Sequence, residues 1–286
     1  MTSIQVLGGA GTVTGSKYLV TSKSGSILVD CGMFQGLKSL RLRNWDEFPI
    51  SPSKITAVIL THAHIDHSGY IPRLIKDGFK GKIYATPATR DLCEILLPDA
   101  GYLAEEEAEY LNQHKRSKHD PALPLFTLKE ARASLASFES VPFEEKKNIS
   151  PEINFKFRYA GHILGASSTL LEVDGKSICF TGDVGRPQDP ILFPPDVLPE
   201  ADYLVTESTY GNRRHILTDP LVDLENIISD AVKRKGVILV PAFAVGRAQE
   251  ILFYLWKLRK LGRLPRIPMY LNSPMATDVN ELFVKY

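Results

Sequence analysis

His62-Ala63-His64-Ile65-Asp66-His67 follows, across the single residue Thr61, on the largely apolar run Ile55-Thr56-Ala57-Val58-Ile59-Leu60, and this junction is the most informative stretch of the chain. A run of that composition reads as a strand buried on both faces. The loop that leaves it lets three imidazoles and one carboxylate, at spacings 0, 2, 4 and 5, converge on one point. With only seven histidines in 286 residues, such a pattern arises by chance in roughly a few chains per ten thousand. Imidazole nitrogen and carboxylate oxygen are borderline ligands that suit zinc, with manganese or iron as substitutes. Read as an ordinary polar loop, the hexapeptide would need no partners elsewhere. Two further donors nevertheless stand just after later strand patterns: His162 in Tyr159-Ala160-Gly161-His162 and Asp183 in Phe180-Thr181-Gly182-Asp183.

Outward from this centre the chain alternates short β-rich runs with glycine turns. Strands are expected over Ile4–Leu7, Tyr18–Val20, Ser26–Val29, Lys82–Ala85, Ile153–Tyr159, Ser168–Val173, Ser177–Phe180 and Tyr203–Thr206, with a hairpin turn at Asp174-Gly175-Lys176. Helical patterns cover Tyr70–Lys76 and, after a start near Ala88, most of Cys93–Glu139, where the acidic run 105–107 and the basic stretch 114–116 read as solvated helix faces. Beyond 206 the order becomes helix Leu221–Lys233, strand Val237–Pro241, helix Ala248–Leu261, strand Met269–Leu271 and a helix after Ser273, which predicts a small parallel sheet covered by helices.

Composition limits the function classes. A hydrophobic fraction of 44% and a charged fraction of 23% fit a folded globular chain. A net charge of +1 argues against a binder that works through a large basic excess, though not against nucleic acid held in a local groove. Three cysteines, Cys31, Cys93 and Cys179, lack CxxC spacing, which points to a reducing compartment, the cytoplasm. No run approaches the roughly 18 apolar residues a membrane span requires.

In order and content these motifs resemble the metallo-β-lactamase fold superfamily over residues 1–206. The resemblance implies an α/β architecture, an αββα sandwich. It further implies that His62, His64 and His162 hold one zinc ion, that Asp66 and His67 hold a second, that Asp183 bridges the two, and that Asp30 orients the ligands. Glu207 in TESTYGNRRH, the stretch PAFAVGRAQE at 241–250, Asn272-Ser273-Pro274-Met275-Ala276, and GAGTVTGSKYLV and DCGMFQG near the start are similar to the β-CASP branch, whose members act on nucleic acids. Residues 207–286 would then be the first part of an incomplete β-CASP α/β domain. In that branch the chain later returns to the first domain with further histidines. None lies beyond His215 here, so the chain is either a fragment or a natural short form, and the apolar edges a short form would expose favour the fragment.

The function implied is hydrolysis of RNA phosphodiester bonds by a hydroxide activated between two zinc ions, with Asp66, Asp183 and Glu207 as catalytic residues. Arg247 and Ser273 stand at helix starts and are phosphate-binding candidates, against the plainer readings of a salt bridge and a helix cap. Single-stranded RNA and a second copy of the chain, in a homodimer, are the implied partners, and no membrane is involved. A thioester or lactone hydrolase using the same metals is the alternative enzyme, since this fold hosts several chemistries. A non-catalytic RNA-binding scaffold is the third reading, disfavoured because every early ligand is present.

Overall fold

β-branched runs broken by glycine zip into two sheets. In the computed structural model, which describes residues 2–214 and 218–286, β1 (Ser3–Gly8), β2 (Lys17–Thr21) and β3 (Ser26–Val29) form an antiparallel meander. It continues in parallel through β4 (Ala57–Ile59), β5 (Lys82–Ala85) and β6 (Phe138–Ser140). The second sheet pairs β7 (Lys146–Ser150), β8 (Ile153–Tyr159), β9 (Ser167–Val173) and β10 (Lys176–Phe180) antiparallel, and β11 (Tyr203–Val205) joins β10 in parallel. The β9–β10 turn is the expected one: Asp174 and Gly175 sit at φ +48° and +74°, the left-handed pair that matches strand twist in a tight hairpin. His215 lies outside the described residues.

Two apolar layers hold the sheets. Alternate residues Val29, Ile59, Phe155, Phe157, Leu171 and Phe180 pack the sheets face to face, while Leu28, Val58, Leu60 and Ile83 point the other way, into helices. Those helices include α1 (Lys38–Leu42), α2 (Ile65–Ser68), α3 (Ile71–Lys76), α4 (Pro87–Gln113) and α5 (Leu128–Ser134). Thr86 caps α4 ahead of Pro87, and Thr127 with Glu130 makes a capping box at α5. On the outer face of the second sheet Leu204 and the Lys146–Glu172 ion pair face solvent.

Two expectations need correction. The helical reading of Cys93–Glu139 holds for 93–113, for 128–134 and, as a 3-10 turn, for 135–137, but breaks between and after them: Lys115 takes a left-handed φ, Pro121 and Pro124 follow, and residues 138 and 139 belong to β6. After β11 the described chain contains three helices, α6 (Pro220–Lys233), α7 (Arg247–Lys260) and α8 (Pro274–Lys285), but no strand. The runs Val237–Pro241 and Met269–Leu271 form no ladder, and Val237, Leu239 and Tyr270 are almost fully exposed. Strand propensity is realised only against a neighbour that supplies hydrogen bonds and a packed face, and no described segment does so.

The topology aligns the strand ends. Asp30 follows β3, the histidine hexapeptide follows β4, His162 follows β8, Asp183 follows β10 and Glu207 follows β11. Each is at a carboxyl end, where open sheets carry their ligand sites.

Candidate metal centre

The site is built on a buried carboxylate. Asp30, 1% exposed, leaves β3 at φ +56°, a conformation that Asp tolerates better than most residues. Its charge is matched by three donors: the Thr61 amide at 2.8 Å, the Thr61 hydroxyl at 2.9 Å and His67 Nδ1 at 2.7 Å. An unpaired carboxylate here would carry a large desolvation cost. The last of these bonds fixes the His67 proton on Nδ1 and turns Nε2 inward. Thr61 acts similarly on His62, whose Nδ1 lies 3.1 Å from the Thr61 hydroxyl.

Backbone packing holds the hexapeptide in place. Ser16 N donates to Asp66 O, Cys31 N to His67 O and Met33 N to Ile65 O, at 2.7–3.0 Å. Gly32 passes directly under this loop: a Cβ there would sit 1.5 Å from the Asp66 carbonyl oxygen, so no other residue fits.

Four side chains from both sheets then converge. His62, His64, His162 and Asp183 each present one donor atom, and the four atoms lie within 4.8 Å of one another. His64 Nδ1 faces His162 Nε2 at 3.1 Å, and His62 Nε2 is buried without a hydrogen-bond partner. The two oxygens of Asp183 are divided. Oδ2 lies 3.8 Å from His62 Nε2 and 3.4 Å from His162 Nε2, whereas Oδ1 lies 3.3 Å from His67 Nε2. Asp66 Oδ2 lies 3.9 Å from that same His67 nitrogen. Imidazoles aimed at one another, with a buried nitrogen lacking a partner, fit a divalent cation of borderline character.

Protonation agrees with this. Burial first, then the neighbouring imidazoles, hold His62 well below the usual histidine range. Burial and His162 bring His64 to about 4, and burial lowers His162 against the pull of Asp183. All three are therefore neutral near pH 7, the form that binds metal. His67 is opposite: burial would lower it, but Asp30 and Asp183 raise it well above its ordinary value. Burial raises Asp66. Asp183 ends below the usual range because its contact with His67 outweighs burial.

Glu207 borders the same space. Its carboxylate accepts from Val184 N at 2.9 Å and Thr209 N at 3.3 Å, and so holds the residue after Asp183. With Asp66, His67, Asp183 and the Gly9–Thr14 segment it lines a cavity of about 500 Å³. Arg247 and Ser273 line neither this cavity nor the apolar one beside it. Arg247 Nη1 donates to Glu250 Oε2 at 3.0 Å, and the Ser273 hydroxyl caps α8 by accepting from Ala276 N at 3.2 Å. Two contributors escaped the sequence reading: Thr61 and Ser16, whose hydroxyl lies 3.4 Å from His67 Nε2. Thr61 alone carried a local signal, as the residue between strand and hexapeptide.

The described residues thus form a two-sheet sandwich with a His/Asp cluster across its strand ends that could hold a metal ion. The family model of the metallo-beta-lactamase superfamily matches residues 10–229. Ribonuclease TTHA0252 of Thermus thermophilus is 35% identical over 277 residues, covering 96% of this chain and 59% of that protein. Transcription termination factor FttA of Methanosarcina mazei is 34% identical, covering 99% and 44%, and cleavage and polyadenylation specificity factor 73 of Drosophila melanogaster is 30% identical, covering 99% and 40%. The chain belongs to the metallo-β-lactamase superfamily, in its β-CASP branch. It spans between two fifths and three fifths of the length of these three relatives.

Proposed function

We infer that this chain carries the hydrolytic centre of a ribonuclease that cleaves single-stranded RNA with two zinc ions. The observation that carries the reading is the division of Asp183, one oxygen toward the three-histidine group and the other toward His67 and Asp66. His62, His64 and His162 would hold one ion, Asp66 and His67 the other, with Asp183 shared. When bound, such a pair activates water and neutralises charge on a phosphoryl centre. The chain's own residues do the rest. Asp30 fixes the face that His67 presents. Asp66 stands beside His67 on the cavity wall, where its carboxylate would help hold the second ion. Glu207 keeps Val184, and with it Asp183, in place. Thr12, Thr14, Ser208 and Thr209 line the cavity with hydroxyl and amide donors for a phosphate. Residues 1–206 would supply the metal donors, and Glu207, Ser208 and Thr209 from the stretch 207–286 border the cavity beside them. Three free, buried cysteines support a cytoplasmic setting, and no helix among the described residues is long and apolar enough to cross a membrane.

The test is cleavage of an end-labelled single-stranded RNA by the purified chain with zinc supplied. Cutting that disappears in Asp66→Ala is the expected result. Turnover of thioesters or lactones without any cleavage of RNA would replace this reading with the small-molecule hydrolase.

A further inference from the structure

A second cavity, of about 380 Å³, is lined in part by Gly161 and Ile163, and its volume falls in the range of roughly 300–1,000 Å³ usual for small-ligand sites. No charged side chain lines it. Its walls include Phe143, Tyr159, Leu164, Phe193 and Phe283. Phe143 and Tyr159 are stacked with centroids 3.8 Å apart, Tyr159 meets Phe193 at 5.4 Å, and Phe193 is 67% exposed. An aromatic ring that exposed, beside a lined apolar cavity, presents a free π-face.

The cavity borders the loop that carries His162. Gly161 and Ile163, the neighbours of His162, both line it. A Cβ on Gly161 would lie 2.8 Å from the Phe193 carbonyl oxygen, and one on Gly185 would lie 1.6 Å from the Gly161 carbonyl oxygen. The Phe193 segment, the His162 loop and the segment after Asp183 are thus packed in one stack. Next to Gly185 stands Arg186, which shares the buried Glu250 with Arg247. Both guanidinium side chains are more than half exposed. One edge of the stack is therefore apolar and aromatic, and the other carries two half-exposed guanidinium groups paired with Glu250 and, for Arg186, also with Asp189 at 3.6 Å.

We propose that this cavity takes a nucleobase of the RNA strand, stacked on Phe193, with the adjoining phosphate held toward Arg186. The proposal rests on the ribonuclease reading and adds to it a base-binding subsite beside the His162 loop. Aromatic platforms paired with basic residues are the general means of holding single strands without sequence preference, and each stacked base strengthens binding roughly 5- to 100-fold. A purely electrostatic groove would need no aromatic wall.

The test measures binding of two short fluorescein-labelled strands to the full chain by anisotropy, one of oligoadenylate and one abasic strand of equal length. The adenylate strand is expected to bind more tightly. Phe193→Ala should remove roughly 5- to 100-fold of its affinity while leaving the abasic strand unchanged, and Phe193→Trp should restore the difference. Phe193 is largely solvent-exposed, so Phe193→Ala should keep the wild-type melting transition. Equal binding of the two strands by the wild type would overturn the subsite while leaving the RNA reading intact. Equal weakening of both strands by Phe193→Ala, or no rescue by Phe193→Trp, would overturn it as well. Failure to bind either strand would remove the RNA reading itself, and an apolar peptide or acyl group would become the occupant to test.

Discussion

Asp30→Asn changes one atom, and its consequence can be followed through the hydrogen bonds. Asparagine tolerates the φ of +56° at this position, so the backbone is not the cause of any effect. With Oδ1 still accepting from Thr61 N, the new amide nitrogen replaces Oδ2 and faces both the Thr61 hydroxyl and His67 Nδ1. To accept from that nitrogen, His67 must move its own proton to Nε2, the atom that lies 3.3 Å from Asp183 Oδ1. Turning the amide over does not help, because it sets the amide nitrogen against the Thr61 N–H, donor against donor. His67 therefore stops being a metal donor. Partners that fix a ligand's tautomer are worth roughly 10- to 100-fold in metal affinity, in keeping with the roughly 1.5–3 kcal/mol of a hydrogen bond to a charged group. Zinc titration against a chromophoric chelator should show the four-donor group unaffected in Asp30→Asn and the uptake that depends on His67 and Asp66 weakened by that factor, with urea denaturation run alongside as a control for folding. Wild-type affinity for every ion in the variant would refute the reasoning, and so would equal loss at the four-donor group in a folded protein.

Lys17, 5% exposed between the rings of Phe34 and Tyr70, has its pKa lowered to about 8 by burial. An unfolded chain holds that proton up to about pH 10.4, so the burial cost is complete below pH 8 and relieved between the two values. Lys17→Met should therefore raise stability by about 1–3 kcal/mol at pH 7 after loss of the cation–π contacts. Urea midpoints should show that gain vanishing by about pH 10.5, and a gain independent of pH would contradict the account. Cys31 and Cys93 are fully buried, and burial pushes the Cys31 thiol up to about 12 and raises the Cys93 thiol far above its ordinary value. A thiol reagent should leave both unreacted in the native chain and modify them once denaturant is added. Zinc at about a hundred times its dissociation constant should stabilise the fold by about 2.7 kcal/mol, which calorimetry would register as a raised Tm reversed by chelation.

What the sequence disclosed was local. The bounds of β3, β5 and β8 follow from their composition and the glycines around them, and the donors His62, His64, Asp66 and His67 come within one hexapeptide. Relations made by distant contacts stayed hidden. Arg247 has the sequence setting of a phosphate contact at a helix start, yet its partner in the fold is Glu250, three residues on, which Arg186 also engages from 64 residues away. Val237–Pro241 has the composition of a strand, but a strand is a property of a pair, and nothing within five residues shows whether the pair exists. β7, Lys-Lys-Asn-Ile-Ser, escaped for the opposite reason: as an edge strand it carries two lysines and little apolar content.

The donors are placed by the same residues that form the core. Val29 is buried between the sheets and precedes Asp30, Ile59 stands three residues before His62, Phe157 five before His162 and Phe180 three before Asp183. Side chains that point into the layer between the sheets fix where each strand ends. Sheets in face-to-face contact keep a spacing of about 10 Å, so β4 on one sheet and β8 and β10 on the other deliver their loops to a common gap whose width the packing determines. A close-packed interior has little freedom to change that width. The four donors are thus brought within 4.8 Å of one another by the hydrophobic layer beneath them, and their mutual repulsion is offset by the stability of a core that a metal site could not supply for itself. Asp30 completes this arrangement from the inside. It is a buried charge that directly follows Val29 of the apolar layer, and its three hydrogen bonds convert the position of β3 into the orientation of His67.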